Sequence, residues 1–288
     1  MSTIRRVLFP VDFSLGCQAL VPTVRRMVES WRAEITLLHV IETRQREGDR
    51  QELGSLMERM RTIAGGLRDR GVTCRVERGD PGERILEQIR TKGVDLVVMS
   101  AGGSACNPIG AVADQVLAEA PCSVWLDWVS TRYRSNAGMY AHQVGCALAL
   151  NEYDEYVLSQ AAEISGELEA GLTVIHAVRL PMRKPVVVLW DQRVVDRVLE
   201  RAKRRIEGLL RRFHPAAKLA IEIGSNQAVV SRVIQDHGTG LLVTGNSREA
   251  ILAARGECPV LRLAVAASAW AAVPEPEPRY AIAARRTA

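Results

Sequence analysis

The sequence predicts an α/β protein in which one domain is written twice: two tandem five-stranded parallel sheets, each flanked by helices, forming a pseudo-dimer within one chain. Three observations carry this expectation. Short apolar runs alternate with longer amphipathic stretches along the chain. The order of these elements in the first half returns in the second. The runs are continuously apolar, as in strands covered by helices on both faces, and crossover helices between strands make a sheet parallel.

In order, Val7-Leu8-Phe9-Pro10-Val11 reads as the first strand and residues 15–31 as an amphipathic helix. Ile35-Thr36-Leu37-Leu38-His39-Val40 is the second strand, and 51–70 a long charged helix. Val72-Thr73-Cys74-Arg75-Val76 is the third strand, after which Gly79-Asp80-Pro81 opens a helix. A buried fourth strand over 94–99 and a short fifth over 122–126 complete the half. The second half repeats this order: strand 144–150, helix 153–169, strand 172–178, helix 191–213, strand 218–222, the turn Gly224-Ser225-Asn226, then strands 240–244 and 258–263. His39 and His176 lie 137 positions apart, Gly79 and Gly224 145, and Cys122 and Cys258 136. The second copy has therefore gained about eight residues before its third strand and lost about nine after the turn that follows it. The expected organisation is a domain over 1–130, a linker over 131–140 with Ser135, Asn136 and Gly138 as breakers, a second domain over 141–265, and an Ala/Pro-rich tail over 266–288.

The chain carries 38 basic and 33 acidic residues, a net charge of +5. Residues 193–212 alone hold eight basic side chains against Asp196, Glu200 and Glu207, a surplus equal to that of the whole chain. On the helix over 191–213, Val195, Val198, Leu199, Ala202, Ile206, Leu209, Leu210 and Phe213 form a core stripe, while Arg193, Arg197, Arg201 and Arg205 form a basic, solvated face. Nucleic acid and membrane surfaces are not the expected partners. No run of eighteen apolar residues spans a membrane, the chain enters its first strand with no secretory signal, and the expected location is the cytoplasm. The six cysteines form no CxxC pair and read as buried thiols, and the five scattered histidines suggest no metal site.

Ligands of open parallel sheets sit at the carboxyl ends of the strands, where strand order reverses. There the first half carries Asp12, Val40 and the run Ser100-Ala101-Gly102-Gly103, with Asn107-Pro108 as a cap and first-turn signal and Gly110 within that first turn. Glycines let backbone N–H groups approach an anion, and a helix N-terminus favours it; the same residues equally suit an ordinary strand-to-helix loop. Asp12, at a strand end before Phe13-Ser14, suits a cap of the following helix through its carboxylate. His39 and His176, at equivalent strand ends with no nearby nucleophile, read as packed, hydrogen-bonded residues, and Ser14 has no activating base in the pattern. No catalytic residue is expected.

These residues resemble the universal stress protein family, across 3–265, as a tandem pair. Val7-Leu8-Phe9-Pro10-Val11-Asp12-Phe13-Ser14 is similar to the family's first strand, whose aspartate contacts adenine in nucleotide-binding members. Leu37-Leu38-His39-Val40, Gly79-Asp80-Pro81 and Ala120-Pro121-Cys122-Ser123-Val124 resemble its second strand, the turn before its third helix and the entry to its last strand. The resemblance implies a Rossmann-like fold of the adenine nucleotide alpha hydrolase type. It also implies that the last strands, Ser123-Val124-Trp125-Leu126 and Pro259-Val260-Leu261-Arg262-Leu263, pair antiparallel as they do between single domains. The implied ligand site comprises Pro10, Val11, Asp12, Val40, Ser100, Gly103, Gly110 and Ala111.

Departures from the family pattern Gly-x2-Gly-x9-Gly-Ser/Thr matter as much. Ser100 stands at the first glycine, six residues separate Gly103 from Gly110, and Ala111 lacks the final hydroxyl. In the second copy Ala149 replaces the aspartate, and Thr244-Gly245-Asn246-Ser247 leaves no room for the loop. The resemblance thus implies a non-catalytic stress-response or regulatory protein acting through ligand or protein binding, with protein partners or self-association. The alternative is an ATP-binding module with slow hydrolysis or nucleotide-gated switching. Any ATP is expected weakly, in the first copy only.

Overall fold

Capping residues set most element ends. The computed structural model describes residues 4–42, 50–67, 71–102, 109–128, 142–180, 191–214, 216–245 and 247–265, so the expected linker and tail lie outside the described residues. The first half runs β1 (Arg6–Pro10), α1 (Leu15–Trp31), β2 (Glu34–Ile41), α2 (Arg50–Leu67), β3 (Val72–Arg78), α3 (Pro81–Lys92), β4 (Leu96–Ser100), α4 (Ala111–Glu119) and β5 (Ser123–Asp127). The second runs β6 (Gln143–Ala147), α5 (Asp154–Glu167), β7 (Gly171–Val178), α6 (Gln192–Phe213), β8 (Lys218–Ile223), α7 (Asn226–His237), β9 (Leu241–Thr244), α8 (Arg248–Ala253) and β10 (Val260–Arg262). Ser14, Asp80, Ser225 and Ser247 cap α1, α3, α7 and α8, each accepting a backbone N–H in the first turn.

Backbone geometry repeats with the sequence. Phe13 and Leu150 are both left-handed at φ 60° and 58°, as are Arg32 and Glu169, each pair 137 positions apart. Gly93 and Gly238, both at φ 61°, end α3 and α7 at a separation of 145. The second copy's deletion therefore falls between β9 and β10, where α8 replaces a longer loop and helix. The expected strand 144–150 stops at Ala147, because the chain turns left-handed at Leu150 to enter α5.

All ten strands form one sheet in the order β3-β2-β1-β4-β5-β10-β9-β6-β7-β8. Pairing is parallel within each half and antiparallel only between β5 and β10, where Val260 faces Leu126, Leu261 faces Trp125 and Arg262 faces Val124. The two edges implied by the family resemblance thus close on each other, leaving neither apolar strand bare. Antiparallel pairing sets the halves head to tail, so their strand carboxyl ends lie at opposite ends of the sheet.

Helices α1, α2, α5 and α6 cover one face and α3, α4, α7 and α8 the other. Each face holds a core that crosses the seam: Trp125, Val144 and Leu261 belong to one, Val124, Cys258 and Val260 to the other. Arg248 pairs with Asp114 at 2.7 Å, and Arg262 donates to Ala120 O at 3.1 Å, both across the seam. On α6, Val195, Ala202, Ile206 and Leu210 are buried, and the four arginines of the opposite face are exposed. Arg212 makes a two-pronged bond to Glu155 at 2.7 and 3.1 Å. Cys17, Cys122, Cys146 and Cys258 are buried free thiols and Cys74 is half-buried and free; Cys106 lies outside the described residues.

Candidate functional site

Strand order reverses at β1, which has β2 on one side and β4 on the other. The crevice at this reversal is flanked by the carboxyl ends of β1 and β4, so the fold brings Pro10, Val11 and Asp12 towards Ser100. Val11 is buried and fully engaged: its N–H donates to Leu38 O at 2.8 Å, and its carbonyl accepts from His39 Nδ1 at 2.7 Å. Val40, half-buried, sits one residue further along β2. Asp12 is exposed, and its Oδ1 accepts the Ser14 N–H at 2.9 Å, while Ser14 Oγ accepts the Cys17 N–H at 3.1 Å. This bond draws one Asp12 oxygen into the turn entering α1. The helix cap proper is Ser14.

A carbonyl can only accept, so His39 holds its proton on Nδ1, and the same holds for His176, whose Nδ1 lies 2.9 Å from Leu148 O. Burial lowers the pKa of His176, partly opposed by that bond. The two histidines tie β2 to β1 and β7 to β6 at equivalent places, in keeping with packed residues.

The β4–α4 loop closes at its base. Gly102 (φ 59°) forms an antiparallel bridge with Ile109, and Gly110 N–H donates to Ala101 O at 2.7 Å. A Cβ on Gly110 would stand 3.1 Å from Gly102 O and 3.2 Å from Ala101 O, so this glycine is demanded by backbone approach. Gly110 is the N-cap of α4, without a side-chain cap bond, and Ala111 is exposed at the first helical position. This corrects the expectation that Asn107-Pro108 starts the helix with Gly110 in its first turn: the bridge at Ile109 intervenes. Gly103, Asn107 and Pro108 themselves lie outside the described residues.

The sequence reading passed over three residues. Phe13, forced left-handed after Asp12, lays its ring 4.8 Å from that of His39, and the Arg59 guanidinium of α2 sits 3.8 Å over the Phe13 ring. This cation-on-aromatic stack stands beside Asp12 at the crevice mouth. Asp127, beside Ser100 in register, has its carboxyl pushed up to about 7 by burial. No periodicity or motif marks any of them.

The equivalent place in the second half is shut. The space among Ala147, Ala149, Ala177, Asn226, Ser247 and Ala250 amounts to about 10 Å³, room for one water at most. Asp154, at the position matching Cys17, turns back so that its Oδ1 accepts the Ala149 N–H at 3.2 Å. Burial raises the Asp154 carboxyl to about 6, and its Oδ2 has no hydrogen-bond partner among the described residues. Arg179 and Glu249 form an ion pair beside α8. Among the described residues no three His, Cys, Asp or Glu side chains converge as metal ligands, and no helix is long and apolar enough to cross a membrane.

Comparison with known proteins agrees with this geometry. The model of the universal stress protein family matches residues 3–126. No curated protein matches the chain. A universal stress protein from Archaeoglobus fulgidus is 16% identical, with a TM-score of 0.65 over 91% of this chain and 96% of that one. A protein of unknown function from Pseudomonas aeruginosa PAO1 is 16% identical, with a TM-score of 0.64 over 90% of this chain and 92% of that one. At such identities these likenesses speak for the fold, and they extend through both halves. The family match thus covers the first half of the chain, residues 3–126, and the second half is a further copy of the same fold.

Proposed function

We propose that this chain is a non-catalytic universal stress protein of the cytoplasm that acts through binding, and that its ligand is an adenine nucleotide held weakly by the first half alone. The observation that carries the reading is the asymmetry of the strand-end loops. Between β4 and α4 the first half keeps ten residues closed at their base by the Gly102–Ile109 bridge, whereas three residues join β9 to α8 over a space of about 10 Å³.

The residues fit a nucleotide unevenly. Asp12 offers a carboxylate at the base end, with Oδ1 already taken by Ser14, and Phe13 and His39 offer aromatic faces. At the phosphate end, the uncapped first turn of α4 offers backbone N–H groups beginning at Ala111. Ala111 has no hydroxyl to add, and one missing charge-assisted bond costs roughly 1.5–3 kcal/mol, about ten- to hundredfold in affinity. Among the described residues Asp12 is held by a backbone amide and His39 by a carbonyl, which leaves neither placed to drive hydrolysis. The expected role is thus that of a binding module working through protein partners.

Calorimetric titration of ATP into the full chain and into Asp12→Ala tests the proposal. One weak site per chain, weakened by the substitution, is expected. Two equivalent sites, one site indifferent to Asp12, or no binding would overturn it.

A further inference from the structure

At the sheet end opposite the Asp12 crevice, the seam holds a half-open pocket of about 220 Å³ with walls from both halves. Leu261 of β10 and Leu263 just beyond it line the pocket with Ile4 and with Ile164 of α5, and Asp95 and Gln160 supply polar groups. Its existence follows from a break in the internal symmetry. Trp125 and Leu261 occupy equivalent places and face each other across β5 and β10, on the same side of the sheet. Trp125 is buried in its own half, with Thr23 and Met27 of α1 also buried there. In the second half the smaller Leu261 leaves space unfilled, and the half-buried Gln160, which matches Thr23, lines it.

The chemistry of the lining selects an occupant. A dry cavity of about 150 Å³ takes benzene, so this volume suits one or two fused rings. Tyr156 lines the pocket and is 39% exposed, one of three large apolar side chains left so among the described residues, and it offers an aromatic face. Asp95 Oδ2 is held by the N–H groups of Arg5 at 2.8 Å and Arg6 at 2.9 Å, which fixes the carboxylate as an oriented acceptor. Its Oδ1 takes no hydrogen bond from a described residue and is open to a ligand's donor. We propose that this seam pocket binds a small aromatic carrying one hydrogen-bond donor, of the indole or phenol class, with its rings between Tyr156 and Leu261 and its donor on Asp95.

Calorimetry on the full chain with indole, and with N-methylindole as the same ring system lacking the donor, is the test. Indole is expected to bind one site per chain, and N-methylindole at least about fivefold more weakly for want of the bond to a carboxylate. Leu261→Trp, which restores the residue of the first copy, should abolish indole binding and leave the ATP titration unchanged. Tyr156→Ala, at an exposed position that does not threaten folding, should weaken indole by at least about threefold through loss of an aromatic contact. Asp95→Asn should bring the two ligands within about twofold of each other, since its amide no longer presents two acceptors. If Leu261→Trp loses its far-ultraviolet circular dichroism, the Tyr156 variant decides. Absence of saturable indole binding, or binding indifferent to the surviving pocket variants, would overturn the proposal.

Discussion

Arg262 sits in the seam, 2% exposed, on a strand otherwise made of Val260 and Leu261 and followed by the buried Leu263. Its Nη2 donates to Ala120 O, the C-cap of α4, placing a cation at the negative end of a helix in the other half. Against this, its Nε and the hydroxyl of Thr244, its in-register neighbour on β9, have no hydrogen-bond partner among the described residues. Burial lowers the guanidinium from 12.5 to about 10, which corresponds to roughly 3 kcal/mol set against the charged form. The favourable side comprises one hydrogen bond from a charged donor, about 1.5–3 kcal/mol, and a dipole contribution of about 0.3–1 kcal/mol. The two sides nearly cancel, and the position matching Arg262 in the first copy is Leu126, fully buried without difficulty. Arg262→Leu is therefore expected to leave stability unchanged or raise it by up to about 2 kcal/mol, as when buried charges give way to well-packed apolar groups. Arg262→Ala should cost about 2–4 kcal/mol, because it removes the bond and leaves a cavity. Urea unfolding at pH 7, followed by tryptophan fluorescence, measures both. A loss above about 2 kcal/mol for Arg262→Leu would refute the reasoning, since the buried guanidinium would then be a net support of the seam.

Other consequences follow from single residues. Gly110→Ala should destabilise the chain by about 1–3 kcal/mol, through overlap with two backbone oxygens, and weaken ATP binding. Gly102→Ala, with no new contact under 3.9 Å, should cost only the roughly 1 kcal/mol of a left-handed alanine; equal losses in thermal melts would contradict this contrast. The Asp154 carboxyl rises from 3.8 unfolded to about 6 folded, so the folded state holds its proton more tightly, and the penalty is absent below pH 3.8 and full above about 6. Asp154→Asn, which keeps the Ala149 bond, should gain about 1–2 kcal/mol at pH 8 and nothing at pH 3.5; a gain independent of pH would exclude the mechanism. Residues 1–130 alone should self-associate through β5, since Val124, Trp125 and Leu126 would be exposed there; a monomer in sedimentation would argue against the seam as a protected edge.

The repeat is legible in the sequence because strands buried on both faces are continuous apolar runs and turns need Gly, Asp or Ser at fixed offsets. Gly79 with Gly224, and Ser14, Asp80 and Ser225 at helix starts, are such marks. Other features depend on contacts between distant residues. The strand starting the second half reads as continuing through Leu148 and Leu150 because both are apolar, yet the left-handed turn at Leu150 ends it. Asn107-Pro108 carries a strong local helix-start signal, which gives way to the long-range bonds pinning Gly102 to Ile109 and Gly110 to Ala101. Phe13 and Arg59 meet only because α2 passes over the end of β1, and the burial of Arg262 depends on which strand lies beside it. Of the expected ligand residues, Asp12, Ser100, Gly110 and Ala111 fall around one crevice by topology. The bond from Ser14 N–H to Asp12 and the close backbone approach at Gly110 emerge only from the fold.

The head-to-tail arrangement separates what the two copies must share from what they need not. Both cores run through β5 and β10, so loss of packing in either half is felt by the other. The strand-end crevices, by contrast, face opposite ends of the sheet, and a change in one has no direct contact with the other. The second copy can therefore lose its aspartate and the greater part of its loop while keeping the parts the seam requires. Those parts are β10 with its antiparallel register, Arg248 against Asp114, and the Ala264 N–H on Ser123 Oγ. Joined in one chain, they form a partner edge present at a high effective concentration, so that β5 is covered at any protein concentration. The second half is accordingly best understood as a permanent partner for the first. Its own residues close one strand-end crevice and leave the seam pocket beside Leu261.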